Sequence, residues 1–173
     1  GVMGLFDGIG SSNKGSTAAL ANLLKLPIVL VVDARGQAAS LAALVKGFRD
    51  QDPSLELAGV VLNHVNSSRH KSLLKEVLEK IDVRMMGSIN SDPQLNLKSR
   101  HLGLAPAHEI DQLEEKIRKW ASIAEKSLDL EAFQAILKAD KCTRPPTNQR
   151  IELESYKTSL NLTPVAIAED KAF

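Results

Sequence analysis

The chain has 173 residues, 43% hydrophobic and 25% charged, a balance that suits one globular domain with a full core and excludes a disordered polymer. Its formal net charge of +1, with acids and bases interspersed, gives no basic footprint for nucleic acid and no polybasic run for anionic lipid. A single cysteine, Cys142, excludes an internal disulfide, and neither a membrane-spanning run nor a signal peptide is present, so a cytoplasmic setting with small-molecule or protein partners is expected.

The first eight residues read Gly-Val-Met-Gly-Leu-Phe-Asp-Gly. Glycines permit tight turns or close approach to a ligand, and one acid among apolar residues suits a site that handles a cation or a proton, so Asp7 is a candidate functional residue. Residues 9–17 are small and polar and lead into a helical pattern over 18–24, with Ser16 or Thr17 as its natural N-cap. Gly10 to Thr17 nearly spells a phosphate-binding loop, but the lysine stands at Lys14, before the second glycine, and serine occupies the place from which it should reach the phosphates. That run is read as a decoy.

A continuous β-branched run over 27–33 predicts a strand buried on both faces of a parallel sheet, with Asp33 at its carboxyl end as either a turn former or a ligand. Leu41, Leu44, Val45 and Phe48 give one helix face over 38–51, which Asp52-Pro53 stops. A second strand over 57–63 ends at Asn63, a helix follows over 67–81, and a third strand covers 83–89. Residues 90–107 form a long irregular stretch that holds Arg100 and His101, a planar anion-binding fork beside a proton handle. Helices are expected over 110–127, with Trp120 in the core, and over 130–138. His64, His70 and His108 are read as surface or supporting residues, and Cys142 as inert. The alternation predicts an α/β fold, a parallel sheet with flanking helices and right-handed crossovers. Such sheets bind ligands at the carboxyl ends of their strands, where Asp7, Asp33, Asn63 and the Arg100 loop are all expected to meet. Residues 143–163, polar and holding Pro145-Pro146, read as a linker, and 165–168 as the first strand of a further unit.

Five ordered motifs together resemble the cobyrinic acid a,c-diamide synthase family: the opening octapeptide, Gly-Ser-Thr-Ala at 15–18, Val-Val-Asp-Ala-Arg-Gly at 31–36, Gly-Val-Val-Leu-Asn at 59–63 and Arg-His-Leu-Gly-Leu at 100–104. The resemblance runs in order from Gly1 to about Glu109, and residues 165–173 resemble the start of that family's glutaminase domain. It implies a P-loop NTPase-like, dethiobiotin-synthetase-like fold that lacks its first strand and phosphate loop. The division it implies is a partial ATP-dependent synthetase domain at 1–142, a linker at 143–163 and a truncated glutaminase strand at 164–173. The family uses ATP, Mg²⁺ and glutamine to amidate the a and c carboxylates of cobyrinic acid or its cobalt-free relative, each carboxylate being activated by phosphorylation.

Carried to this chain, the resemblance makes Asp7 catalytic and metal-binding and places Ser16 and Thr17 on the substrate and phosphate side. It makes Asn63 the reader of adenine and gives Arg100 and His101 to the lining of the substrate site. Asn90 departs from the family, which usually has proline after that strand. An open strand edge or apolar face is expected where a first unit would pack, favouring self-association, with a homodimer as one outcome. The rival readings are a dethiobiotin-synthetase-like or phosphotransacetylase-associated domain and a ParA-like nucleotide-sensing module.

Overall fold

The computed structural model describes residues 4–95, 110 and 112–138. The expected linker and terminal strand, together with Arg100, His101, His108 and Cys142, lie outside the described residues. The three apolar runs form β1 (Ile28–Asp33), β2 (Leu57–Val65) and β3 (Met85–Asn90), paired in parallel in the order β1-β2-β3. Helix α1 (Thr17–Leu24) precedes them, α2 (Ser40–Gln51) joins β1 to β2, and α3 (Ser68–Glu79) joins β2 to β3. After β3 come a short 3₁₀ turn (Pro93–Leu95), α4 (Leu113–Ser127) and α5 (Leu130–Lys138). The expected α/β alternation is therefore present.

Most element ends shift by one to three residues, and two of the shifts have a visible physical reason. Strand β2 continues two residues beyond Asn63 to Val65, because the chain bulges there and resumes pairing at Val65 with Asn90. Helix α4 begins at Leu113, later than the expected 110, because Gln112 takes a left-handed backbone (φ 54°) that a helix cannot contain. Helix α3 starts where a serine can close it: the Ser67 hydroxyl accepts the His70 amide at 3.1 Å. Helix α5 is started by Asp129, whose Oδ1 accepts the Ala132 amide at 3.0 Å.

The sheet divides the core. On one face Val32, Val60 and Leu62 pack with Leu41 and Val45 of α2 and with Leu74, Val77 and Leu78 of α3. On the other, Val61 and Met86 pack with Ala132, Leu128, Phe133 and Ile136 at the end of α4 and along α5. Both faces of β2 are thus covered, as its unbroken apolar run requires. The end of α4 can lie this close to β3 only because position 87 has no side chain. A Cβ on Gly87 would stand 2.5 Å from a Leu128 methyl carbon and 2.8 Å from the Ser127 carbonyl oxygen.

Strand β1 is an edge strand of the described sheet, and Val31, on the same face as Val61 and α5, is 65% exposed. Helix α1 likewise leaves Leu20, Leu23 and Leu24 in solvent. The open edge and apolar face expected from the sequence are present. No helix among the described residues is long and apolar enough to cross a membrane.

Candidate functional site

The opening loop is held by its own backbone. Asp7 closes a turn on Gly4: its Oδ2 accepts the Gly4 amide at 2.9 Å, and its amide donates to the Gly4 carbonyl at 3.1 Å. Its carboxylate is exposed. Gly8 is required where it stands, since a Cβ there would lie 2.5 Å from the Lys14 carbonyl oxygen and 2.6 Å from that of Ser12. The Ile9 amide bonds Lys14, and the Ser16 amide bonds Asn13, folding 8–16 into a compact loop. Phe6 anchors it by stacking on Phe48 of α2, with ring centroids 6.1 Å apart.

Ser16 is the N-cap of α1, 2% exposed, and its hydroxyl accepts the Ala19 amide at 3.1 Å. The neighbouring Ala18 amide donates to the Leu5 carbonyl at 2.9 Å. Two of the helix-start amides, those of Ala18 and Ala19, are thus engaged by the chain itself. Thr17, half-buried, is the first residue of the helix.

The carboxyl edge of the sheet is built differently. Asp33 ends β1, and both its oxygens receive the Arg35 guanidinium, the shortest contact being 2.6 Å; Oδ1 also accepts the Arg35 amide at 3.0 Å. The donated side-chain hydrogen bond, then the backbone one, push the Asp33 carboxyl down to about 2, and the same pairing raises the Arg35 guanidinium. Asn63 is the register partner of Asp33, and the Asn63 carbonyl accepts the Ala34 amide at 2.9 Å.

At Asn63 the sheet carries a bulge. Leu62 pairs with Ser88 and Val65 with Asn90, three steps on β2 against two on β3. The extra residue forces His64 into the left-handed region (φ 57°), where a non-glycine residue is strained and the strain needs local support. Two bonds supply it: the His64 amide donates to the Asn63 Oδ1 at 2.9 Å, and its Nδ1 lies 3.2 Å from the Ser91 hydroxyl. The Asn63 amide is thereby oriented, with one lone pair of Oδ1 in use and its NH₂ group outside the bonds made by the described residues.

The structure brings Asp33 and Asn63 together, as the sequence reading expects. It does not bring Asp7, Ser16 or Thr17 to them by any hydrogen bond or ion pair among the described residues. Leu5, close to Asp7 in the chain, lines a small cleft with Ile28 and Leu57, which open β1 and β2 at the opposite end of the sheet. Among the described residues, Asp7 bonds within its own turn, and the loop that carries it is anchored on α2 by Phe6 and on α1 by Ser16. Sequence reasoning missed the Asp33–Arg35 clasp, although an acid two residues before an arginine at a strand end is a visible signal for one. It missed the bulge for lack of any glycine to mark it.

The CobQ/CobB/MinD/ParA nucleotide binding domain family matches residues 8–104. The chain is 39% identical over 174 residues to a cobyrinate a,c-diamide synthase of Caldanaerobacter subterraneus subsp. tengcongensis, covering 100% of this chain and 37% of the relative. It is 48% identical over 137 residues to a hydrogenobyrinate a,c-diamide synthase of Mesorhizobium japonicum, covering 78% of this chain and 31% of the relative. A cobyrinate a,c-diamide synthase of Synechococcus sp. is 36% identical over 174 residues, covering 100% of this chain and 38% of the relative. The chain thus spans well under half the length of these relatives. No solved structure matches it. The match to the family covers more than half of the chain and contains the Asn63 edge, so this chain belongs to the CobQ/CobB/MinD/ParA nucleotide-binding domain family.

Proposed function

We propose that the chain is a segment of the ATP domain of a ligase that amidates the a and c carboxylates of cobyrinic or hydrogenobyrinic acid, with glutamine as amide donor. The observation that carries this reading is the alignment of the whole chain with proteins named cobyrinate a,c-diamide synthase at 39% and 36% identity. A carboxylate resists amide formation until one oxygen becomes a leaving group, and phosphorylation by ATP creates one. In this reading Asn63 reads the base of ATP through its oriented amide. Asp7 serves phosphoryl transfer, Ser16 and Thr17 lie on the substrate and phosphate side, and Arg100 and His101 line the substrate site.

Magnesium fits what the chain offers. One oxygen of the exposed Asp7 carboxylate is bound to Gly4 and the other is open, and the described residues hold no cluster of three or more acidic, histidine or cysteine side chains. A single carboxylate that shares an ion with substrate phosphates and water is the usual manner of magnesium, not a closed protein cage. The ion would neutralise charge on the transferring phosphoryl group.

The 173 residues contain no Gly-x-x-x-x-Gly-Lys-Ser/Thr run, and their one cysteine precedes the polar stretch at 143–163. The expected result is that this chain alone neither hydrolyses ATP nor makes amides, whereas a polypeptide of the relatives' length that contains it amidates cobyrinic acid when given ATP, Mg²⁺ and glutamine. Mass spectrometry of the product reads two carboxylates converted to amides. Amidation by the chain alone, or none by the longer protein, would overturn the reading.

A further inference from the structure

We infer that His70 is a positioning residue of the nucleotide edge, bracing the turn that carries Asn63 against the turn that carries Asp33. The two turns follow neighbouring parallel strands and meet directly at one bond, from the Ala34 amide to the Asn63 carbonyl. His70, in the first turn of α3, makes the second connection. Its Nε2 lies 2.8 Å from the Gln37 carbonyl oxygen, and its Nδ1 accepts the Asn66 amide at 3.3 Å. Gln37 is itself fixed: its side-chain amide donates to the Asp33 carbonyl at 2.7 Å, and its backbone amide to that of Ala34 at 3.1 Å. The imidazole is half-buried, and its own amide is taken by the Ser67 cap.

The partners decide the tautomer. A backbone amide can only donate and a carbonyl can only accept, so the single ring proton sits on Nε2 and Nδ1 carries the lone pair. In that form one rigid ring spans two loops. The residues between the two connections, 63–66, contain the strained His64, which Ser91 steadies from the β3 side. His70 steadies the same turn from the β1 side. Without it the turn would be held to β1 at Asn63 alone, beside a backbone conformation that relaxes when released. The orientation of the Asn63 amide would then be lost, although His70 touches no ligand.

The role rests on the nucleotide reading of Asn63, and the test separates the two. In the 173-residue chain, two-bond ¹H–¹⁵N spectra report the His70 tautomer; a pure Nε2–H pattern is expected, and an Nδ1–H or averaged pattern overturns the brace. In a polypeptide of the relatives' length, titration with a fluorescent ATP analogue and Mg²⁺ reads positioning. His70→Gln keeps a donor near the Gln37 carbonyl, and His70→Asn keeps an acceptor near the Asn66 amide, so each retains half of the connection. Both are expected to raise the nucleotide Kd about tenfold while the melting temperature stays near that of the parent. In an Asn63→Ala background the same changes should cause no further loss, because both residues act through one contact. An unchanged Kd in both single variants overturns the proposal, as does an equal tenfold loss on top of Asn63→Ala. Absence of nucleotide binding by the parent, with the Nε2–H pattern intact, would sink the nucleotide reading and the positioning role while leaving the brace itself standing.

Discussion

Single side chains at the two ends of the sheet have separable work. Asp33 is exposed yet strongly perturbed, because Arg35 satisfies both its oxygens. A carboxyl whose folded value lies below its ordinary one adds stability that is full above about pH 4 and is lost as pH falls toward about 2. Carbon-13 titration of the Asp33 carboxyl should therefore show a midpoint near 2, returning to the ordinary range in Arg35→Ala. Among the described residues Asp7 bonds only to the backbone of its own turn, and asparagine would keep an acceptor for the Gly4 amide. Asp7→Asn in a protein of the relatives' length should lower amidation about a hundredfold or more, with little change in melting temperature. Equal turnover would remove Asp7 from the chemistry. Ser16 invites the opposite expectation. Its buried hydroxyl serves the helix, so Ser16→Ala should cost about 1 kcal/mol in denaturant unfolding, and Ser16→Asp should recover most of it. Asp33 and Asn63 were legible in the sequence as polar residues that close apolar runs. The roles of His70 and Arg35 were not, because they depend on which loops become neighbours.

At the level of elements, the sheet is tuned at positions without side chains. Gly59 on β2 and Gly87 on β3 each face atoms that leave no room: a Cβ on Gly59 would lie 2.6 Å from a Met86 side-chain carbon and 2.8 Å from the Arg84 carbonyl oxygen. Gly59→Ala and Gly87→Ala should each destabilise by about 1–3 kcal/mol, read from chemical unfolding midpoints, since backbone atoms beside both sites cannot yield. Strands and helices were readable from β-branched runs and from apolar spacing, and every expected element among the described residues is present. Their ends were less so. The β2 bulge extends that strand beyond Asn63, and its cause is pairing with β3, which no local window of sequence contains.

For the molecule as a whole, the uneven cover of the sheet matters most. Among the described residues, helices α2 and α3 share one face, while the opposite face is covered over β2 and β3 and at Val29 but open at Val31 of β1. A parallel edge that is unpaired among the described residues, beside Val31 and with Leu20, Leu23 and Leu24 on α1, is a surface that proteins normally bury. Sedimentation of the isolated chain should show concentration-dependent self-association, reduced by Val31→Lys. A strict monomer at every concentration would show that the edge is protected in another way. The composition announced a full core, and the pattern announced α/β layering. Which side of the sheet stays bare follows from the three-dimensional path of α4 and α5.

The strictly sequential strand order has one more consequence. Because β1, β2 and β3 are adjacent and parallel, their carboxyl ends emerge side by side, and Asp33, Asn63 and Asn90 stand on successive strands. Neighbouring strands lie about 4.8 Å apart, so the three positions span about 10 Å, close to the length of a nucleoside. Under the nucleotide reading proposed for Asn63, the sheet would act as a ruler: the pitch of the backbone ladder would set the interval between contacts and the side chains what is read at each mark, so exchanging residues at these ends would alter the choice of ligand without altering the scale on which it is measured.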